Sequence, residues 1–70
     1  MIKDFVTIDR QKNVRHRAII GTIDDFKQAG YIPEDSKKIG YAVKDDFSGR
    51  VKFPFASERN AENWLRRVYA

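Results

Sequence analysis

Four runs of this chain alternate in polarity: KDFVTID at 3–9, VRHRAII at 14–20, KIGYAVK at 38–44 and RVKFPF at 50–55. A period of two sends successive side chains to opposite faces of a pleated strand, so each run reads as a half-buried strand. The wholly polar RQKN at 10–13 joins the first two as a hairpin. DDFSG at 45–49, with a glycine suited to a positive φ angle, joins the last two. A chain that spends four segments this way has only its remaining residues to cover the sheet.

Those residues carry helix-start chemistry. Thr22 stands as an N-cap before IDDFKQAG. Its hydroxyl can accept an orphan backbone N–H, and Asp24 and Asp25 complement the positive helix start. Ile23 and Phe26, extended by Ala29, mark the buried side; Gly30 is a left-handed stop, with Pro33 beyond it. Ser57 caps a second helix, in which Ala61, Trp64, Leu65 and Val68 form an apolar stripe at helical spacing. Glu58 and Glu62 sit early in it and Arg66 and Arg67 late, matching the dipole. The expected architecture is α+β in the order ββαββα: an antiparallel four-stranded sheet with two helices packed on one face. One small basic domain spans 1–70.

With 70 residues and no cysteine, the core must supply the stability unaided. An aromatic content of 13% makes a compact core feasible. No long apolar stretch suits a membrane span, and MIKDFVTID has no apolar run of signal-peptide type, so a cytoplasmic protein is expected. A monomer or a homodimer paired through an edge strand fits equally.

If the helices share one face, Val6, Ile8, Val14, His16, Ala18, Ile20, Ile39, Tyr41, Val43, Val51, Phe53 and Phe55 point inward. Lys3, Arg15, Arg17, Lys38, Lys44, Arg50 and Lys52 then gather on the open side with Asp9 as its one acid. Phe5, Ile19, Gly40 and Ala42 share that side. Ile19 needs cover from a helix or a slip in register near Gly21. Gly40 and Ala42 admit a close approach, by a ligand or by a neighbouring backbone. Pro54 belongs on an edge strand, since it cannot donate to a ladder.

A basic sheet face suits nucleic-acid phosphates, whose contacts with Lys and Arg release counterions. It also keeps a small sheet soluble. Arg10, Lys12, Arg15 and Arg17 fall within eight residues without an acid, the footprint of a backbone clamp. The expected binding residues are Arg10, Lys12, Arg15, Arg17, Lys38, Lys44, Arg50 and Lys52. Only Phe5 and Phe47 could stack bases there, which favours a duplex over a single strand. The alternative is an inhibitor encoded by a phage or mobile element. It would dock on an acidic surface of a host CRISPR, restriction or transcription protein. No catalytic signature is present: His16 is the one histidine, and its expected role is that of a half-buried, hydrogen-bonded strand residue. A minor third option is a ribonuclease-like enzyme using His16. The paired aspartates lack a calcium-loop spacing, and no glycine-rich phosphate loop occurs, so no cofactor, metal or small-molecule substrate is expected.

The stretch KIGYAVK through FASERNAENWLRRVYA resembles the second half of AP2-type and integrase amino-terminal DNA-binding domains. Those domains lay a three-stranded sheet on DNA and support it with a helix. The likeness covers under half the chain, and the helix at 22–30 departs from it. FKQAGY…KKIGYAVKDDFSGRVKFPF resembles the HicA toxin ribonucleases, whose catalytic histidine follows a Gly-Ser pair. Here those positions read Gly40, Tyr41, Ala42, so the likeness implies no such activity.

Overall fold

The computed structural model describes residues 1–70. Its elements run β1 (Lys3–Ile8), β2 (Val14–Thr22), α1 (Ile23–Gln28), β3 (Tyr41–Asp45), β4 (Val51–Phe55) and α2 (Glu58–Val68). The four strands form one antiparallel sheet in the order β1-β2-β3-β4. The expected element order and single sheet are therefore present. No helix is long and apolar enough to cross a membrane.

The local signals act as their chemistry dictates. The Thr22 hydroxyl accepts the Asp25 N–H at 3.0 Å, and the Asp25 carboxylate accepts the Thr22 N–H at 3.2 Å, closing a capping box. The Ser57 hydroxyl accepts the Asn60 N–H at 3.1 Å. In the first hairpin turn, one oxygen of Asp9 accepts the N–H groups of Gln11 and Asn13, each at 2.9 Å. Asp45 does the same for Phe47 and Ser48 at 2.8 Å. Each contact spans at most four residues, which is why the sequence announces it.

Cover on the sheet is distributed differently from the expectation. Ala18, Ile20 and Val43 pack with Ala61 and Leu65 of α2. Their immediate neighbours Ile19 and Ala42 pack instead with Ile23 and Phe26 of α1 and with Ile32. Adjacent residues of a strand point to opposite faces, so the two helices lie on opposite faces of the sheet. The correction to the shared face has a visible cause. AII at 18–20 and AV at 42–43 break the alternation, as a strand buried on both sides does. Gly21 completes the seat: a Cβ there would lie 3.2 Å from the Phe26 ring.

Four smaller corrections follow. On β1 it is Phe5 that packs towards α2, opposite Ala18, while Val6 and Ile8 are exposed on the other face. Phe5 finds Ala18 and the Tyr69 ring on the covered side, with ring centres 6.4 Å apart. Ile39 precedes β3 and is 86% exposed. On β4, Val51 and Phe53 join the α1 cluster and only Phe55 joins the α2 cluster. An extra residue between Lys52 and Phe55 shifts the register there, at Pro54 on the edge strand. Ala29 is exposed; Ile32, beyond the turn at Gly30, supplies the buried side chain in its place.

Candidate nucleic-acid interface

β3 pairs with β2 only from Ala18 to Thr22. Val14–Arg17 and the facing part of β1 therefore run on beyond β3 as a two-stranded ribbon that ends in the 9–13 turn. The radius of gyration is 12.2 Å, against roughly 11 Å for a fully compact chain of this length. Four of the eight expected residues belong to the ribbon. Arg10 and Lys12 are exposed on the turn, Lys12 with a positive φ of 65°. Arg15 is exposed and is the extra residue of a bulge, since Thr7 faces His16 and Ile8 faces Val14. Bulges re-aim side chains. Arg17 is exposed on the α1 face, beyond the reach of α1.

Between Phe5 and Arg17 the only acid is Asp9, and its carboxylate is engaged by the turn. The ion pairs of the molecule are Met1 N-terminus with Asp25, Lys3 with Glu58 and Glu62, and Arg66 with Glu62. None of the eight expected residues takes part in one. Lys3, expected on the open face, instead sits on the α2 side, where its hydrogen bond holds the Glu62 carboxyl below the usual range.

The other four expected residues do not extend the ribbon into one continuous face. Lys44 lies on the α1 face with its ammonium 4.9 Å from the centre of the Tyr31 ring. Lys52 points to the α2 face, 5.4 Å from the centre of the Trp64 ring. Arg50 lines a cleft on that same side, and Lys38 stands in the loop before β3 near the start of α1. The basic face is thus divided, because a helix on each side of the sheet divides the polar positions between two faces. Apolar side chains accompany the ribbon: Val6, Ile8, Val14 and, in the neighbouring turn, Phe47 at 68% exposure.

His16 is half-buried and lies flat on Tyr69, with ring centres 4.3 Å apart and planes 5° from parallel. The expected half-buried position is right; the partner is a ring, supplied by the end of α2. The Tyr69 hydroxyl donates to Asp45 at 2.6 Å. That bond, followed by the turn N–H groups, holds the Asp45 carboxyl below its usual value. Burial, and then Asp45, push the Tyr69 phenol well above its usual value. A depressed carboxyl contributes stability that is present above its unfolded value near 3.8 and is lost as pH falls through the folded value. Tyr69→Phe is accordingly expected to cost about 1 kcal/mol at neutral pH, below the roughly 1.5–3 kcal/mol of a hydrogen bond to a charged group because solvent screens the partly exposed carboxylate. The cost should shrink below pH ~4. Urea titrations of both proteins across that range provide the check; a pH-independent difference would contradict the assignment.

No group of three or more His, Asp or Glu side chains converges as a metal site. Comparison of the chain with protein-family models, with curated proteins and with solved structures finds no match.

Proposed function

We propose that this protein is a non-enzymatic binding module that grips duplex nucleic acid with the β1–β2 ribbon. The observation that carries the reading is the ribbon itself: four exposed cations, none ion-paired, on a hairpin that outruns the rest of the sheet. Three residues of strand, Val14–His16, lie beyond the last hydrogen bond to the β3–β4 turn and reach roughly 10 Å, with the 9–13 turn extending them. Two paired strands fit a major groove about 12 Å wide and about 8.5 Å deep. Arg10, Lys12, Arg15 and Arg17 would meet phosphates, while Val6, Ile8 and Val14 are suited to contact thymine methyl groups.

Binding of a labelled duplex, followed by anisotropy, should weaken steeply with salt. Four phosphate contacts give a slope of log Kobs on log salt of about −3.6. The quadruple variant Arg10→Ala, Lys12→Ala, Arg15→Ala, Arg17→Ala should bind at least about tenfold more weakly at low salt, with a nearly flat salt profile. Absence of binding at micromolar protein in low salt would sink the reading.

The exposed apolar residues of the ribbon support a second reading, an inhibitor that docks on an acidic host-protein surface. A pull-down from nuclease-treated lysate separates the two. A protein partner retained after nuclease, and lost in the quadruple variant, favours the second.

A further inference from the structure

We propose that the cleft between the β3–β4 hairpin and α2 holds one unpaired nucleotide, its base against Trp64 and its phosphate between Arg50 and Lys52. The cleft encloses about 300 Å³, within the range of small-ligand sites. Val43 and Leu65 are buried in its floor, and Trp64 and Val68 are partly open to it. Arg50 and Lys52 stand over this floor with no carboxylate at ion-pair distance. The one acid in the lining, Asp45, is already engaged. One of its oxygens accepts two turn N–H groups and the other accepts the Tyr69 hydroxyl.

The chemistry left over is a pair of cations without carboxylate partners above an apolar floor. Two cations call for an anion, and an indole face with aliphatic neighbours calls for a planar ring. A nucleotide carries both groups within a few bonds of one another. The ammonium of Lys52 now covers the indole at 5.4 Å from its centre. An exposed cation–π contact is weaker than a charge-assisted hydrogen bond to phosphate, so an arriving phosphate draws Lys52 off the ring and frees it for stacking. On the far side of Trp64, Asn60, Asn63 and Arg67 line a second, more open recess that is separate from the cleft.

The source is either a free mononucleotide or the unpaired end of a strand whose duplex part lies on the ribbon; the second source rests on the proposed function. The geometry links the two sites. The Asp46 N–H donates to the Arg17 carbonyl at 2.9 Å, so the β3–β4 turn that borders the cleft also abuts the ribbon.

Trp64 is the only tryptophan and borders both the cleft and the recess on its far side, so its emission reports on both, and the Arg50 and Lys52 variant tells them apart. It would be excited on the red edge of its absorption and titrated with AMP, with a blunt duplex and with the same duplex bearing a short single-stranded overhang. AMP should change the emission. The overhang duplex should change it too and bind severalfold more tightly than the blunt one. The double variant Arg50→Gln, Lys52→Gln, both exposed positions, should abolish the response to AMP and equalise the two duplexes. Arg15→Gln, Arg17→Gln should weaken duplex binding and keep the AMP response. Emission unchanged by AMP and by the overhang overturns the cleft even if the blunt duplex binds. An AMP response with no duplex binding at low salt overturns the ribbon and supports a free-nucleotide site. A response to benzoate as strong as that to AMP overturns the nucleotide assignment.

Discussion

Phe26→Ala is expected to leave the protein largely unfolded at room temperature. The ring is fully buried, meets Tyr31 edge-on at 5.6 Å and fills the space that Gly21 leaves. Removing a buried phenylalanine costs about 3–5 kcal/mol. A small domain without disulfides has only roughly 3–5 kcal/mol in total. α1 cannot offset the loss, because six helical residues have no stability away from their packing. Its detachment would also bare Ile19 and Ala42 on a sheet whose ribbon already exposes apolar side chains. Urea unfolding followed by Trp64 emission, supported by circular dichroism, checks this; Phe26→Leu should retain the fold with a loss nearer ~1 kcal/mol. An unchanged midpoint for the alanine variant would mean that α1 is not an integral part of the fold.

Gly40→Ala is the second large effect. Gly40 has a φ of +117°, and a Cβ there would sit 2.3 Å from the backbone oxygen of Phe55. Both terms oppose the methyl group. The backbone conformation costs an L-residue about 1–3 kcal/mol, and the clash adds a similar amount because a strand carbonyl cannot rotate away as a side chain can. The Gly40 carbonyl also accepts the Ile23 N–H at 2.9 Å, so any shift is passed to the start of α1. Gly49→Ala is the control: φ is +76°, but no atom lies within 4 Å of the new methyl. It should cost only about 1–2 kcal/mol. Midpoints of thermal unfolding should rank wild type, Gly49→Ala, Gly40→Ala. Equal losses at the two glycines would mean that the Phe55 contact has no weight.

Gly40 also marks where local information ends. Its small size suggested a close approach by a ligand or a neighbouring backbone, and the neighbour is Phe55 of β4. Nothing local could choose between them, since the partner lies fifteen residues away. The candidate site divides in the same manner. The ribbon was legible as the acid-free cluster at 10–17, because a hairpin and its turn are made by residues close in the chain. The union of that cluster with Lys38, Lys44, Arg50 and Lys52 was not, because it assumed that one face of the sheet was open. The AII and AV runs carried a signal against that assumption. Trp64, placed in a buried stripe, lies instead half-exposed between two recesses, since α2 buries only Ala61 and Leu65 completely.

By itself the sequence determined the four strands, both hairpin turns, both helix caps and their order. Each depends on a period of two, a side chain reaching a backbone N–H within four residues, or a glycine at a turn. The tertiary structure alone decided which face each helix covers, that Phe5 rather than Val6 turns towards α2, and that Arg50, Lys52 and Trp64 share one cleft. The physical reason is that alternation is symmetric. It divides a strand into two faces and is silent on which of them is covered. Only packing between residues distant in the chain, Phe26 against Gly21 on one side and Leu65 against Ile20 and Val43 on the other, breaks that symmetry.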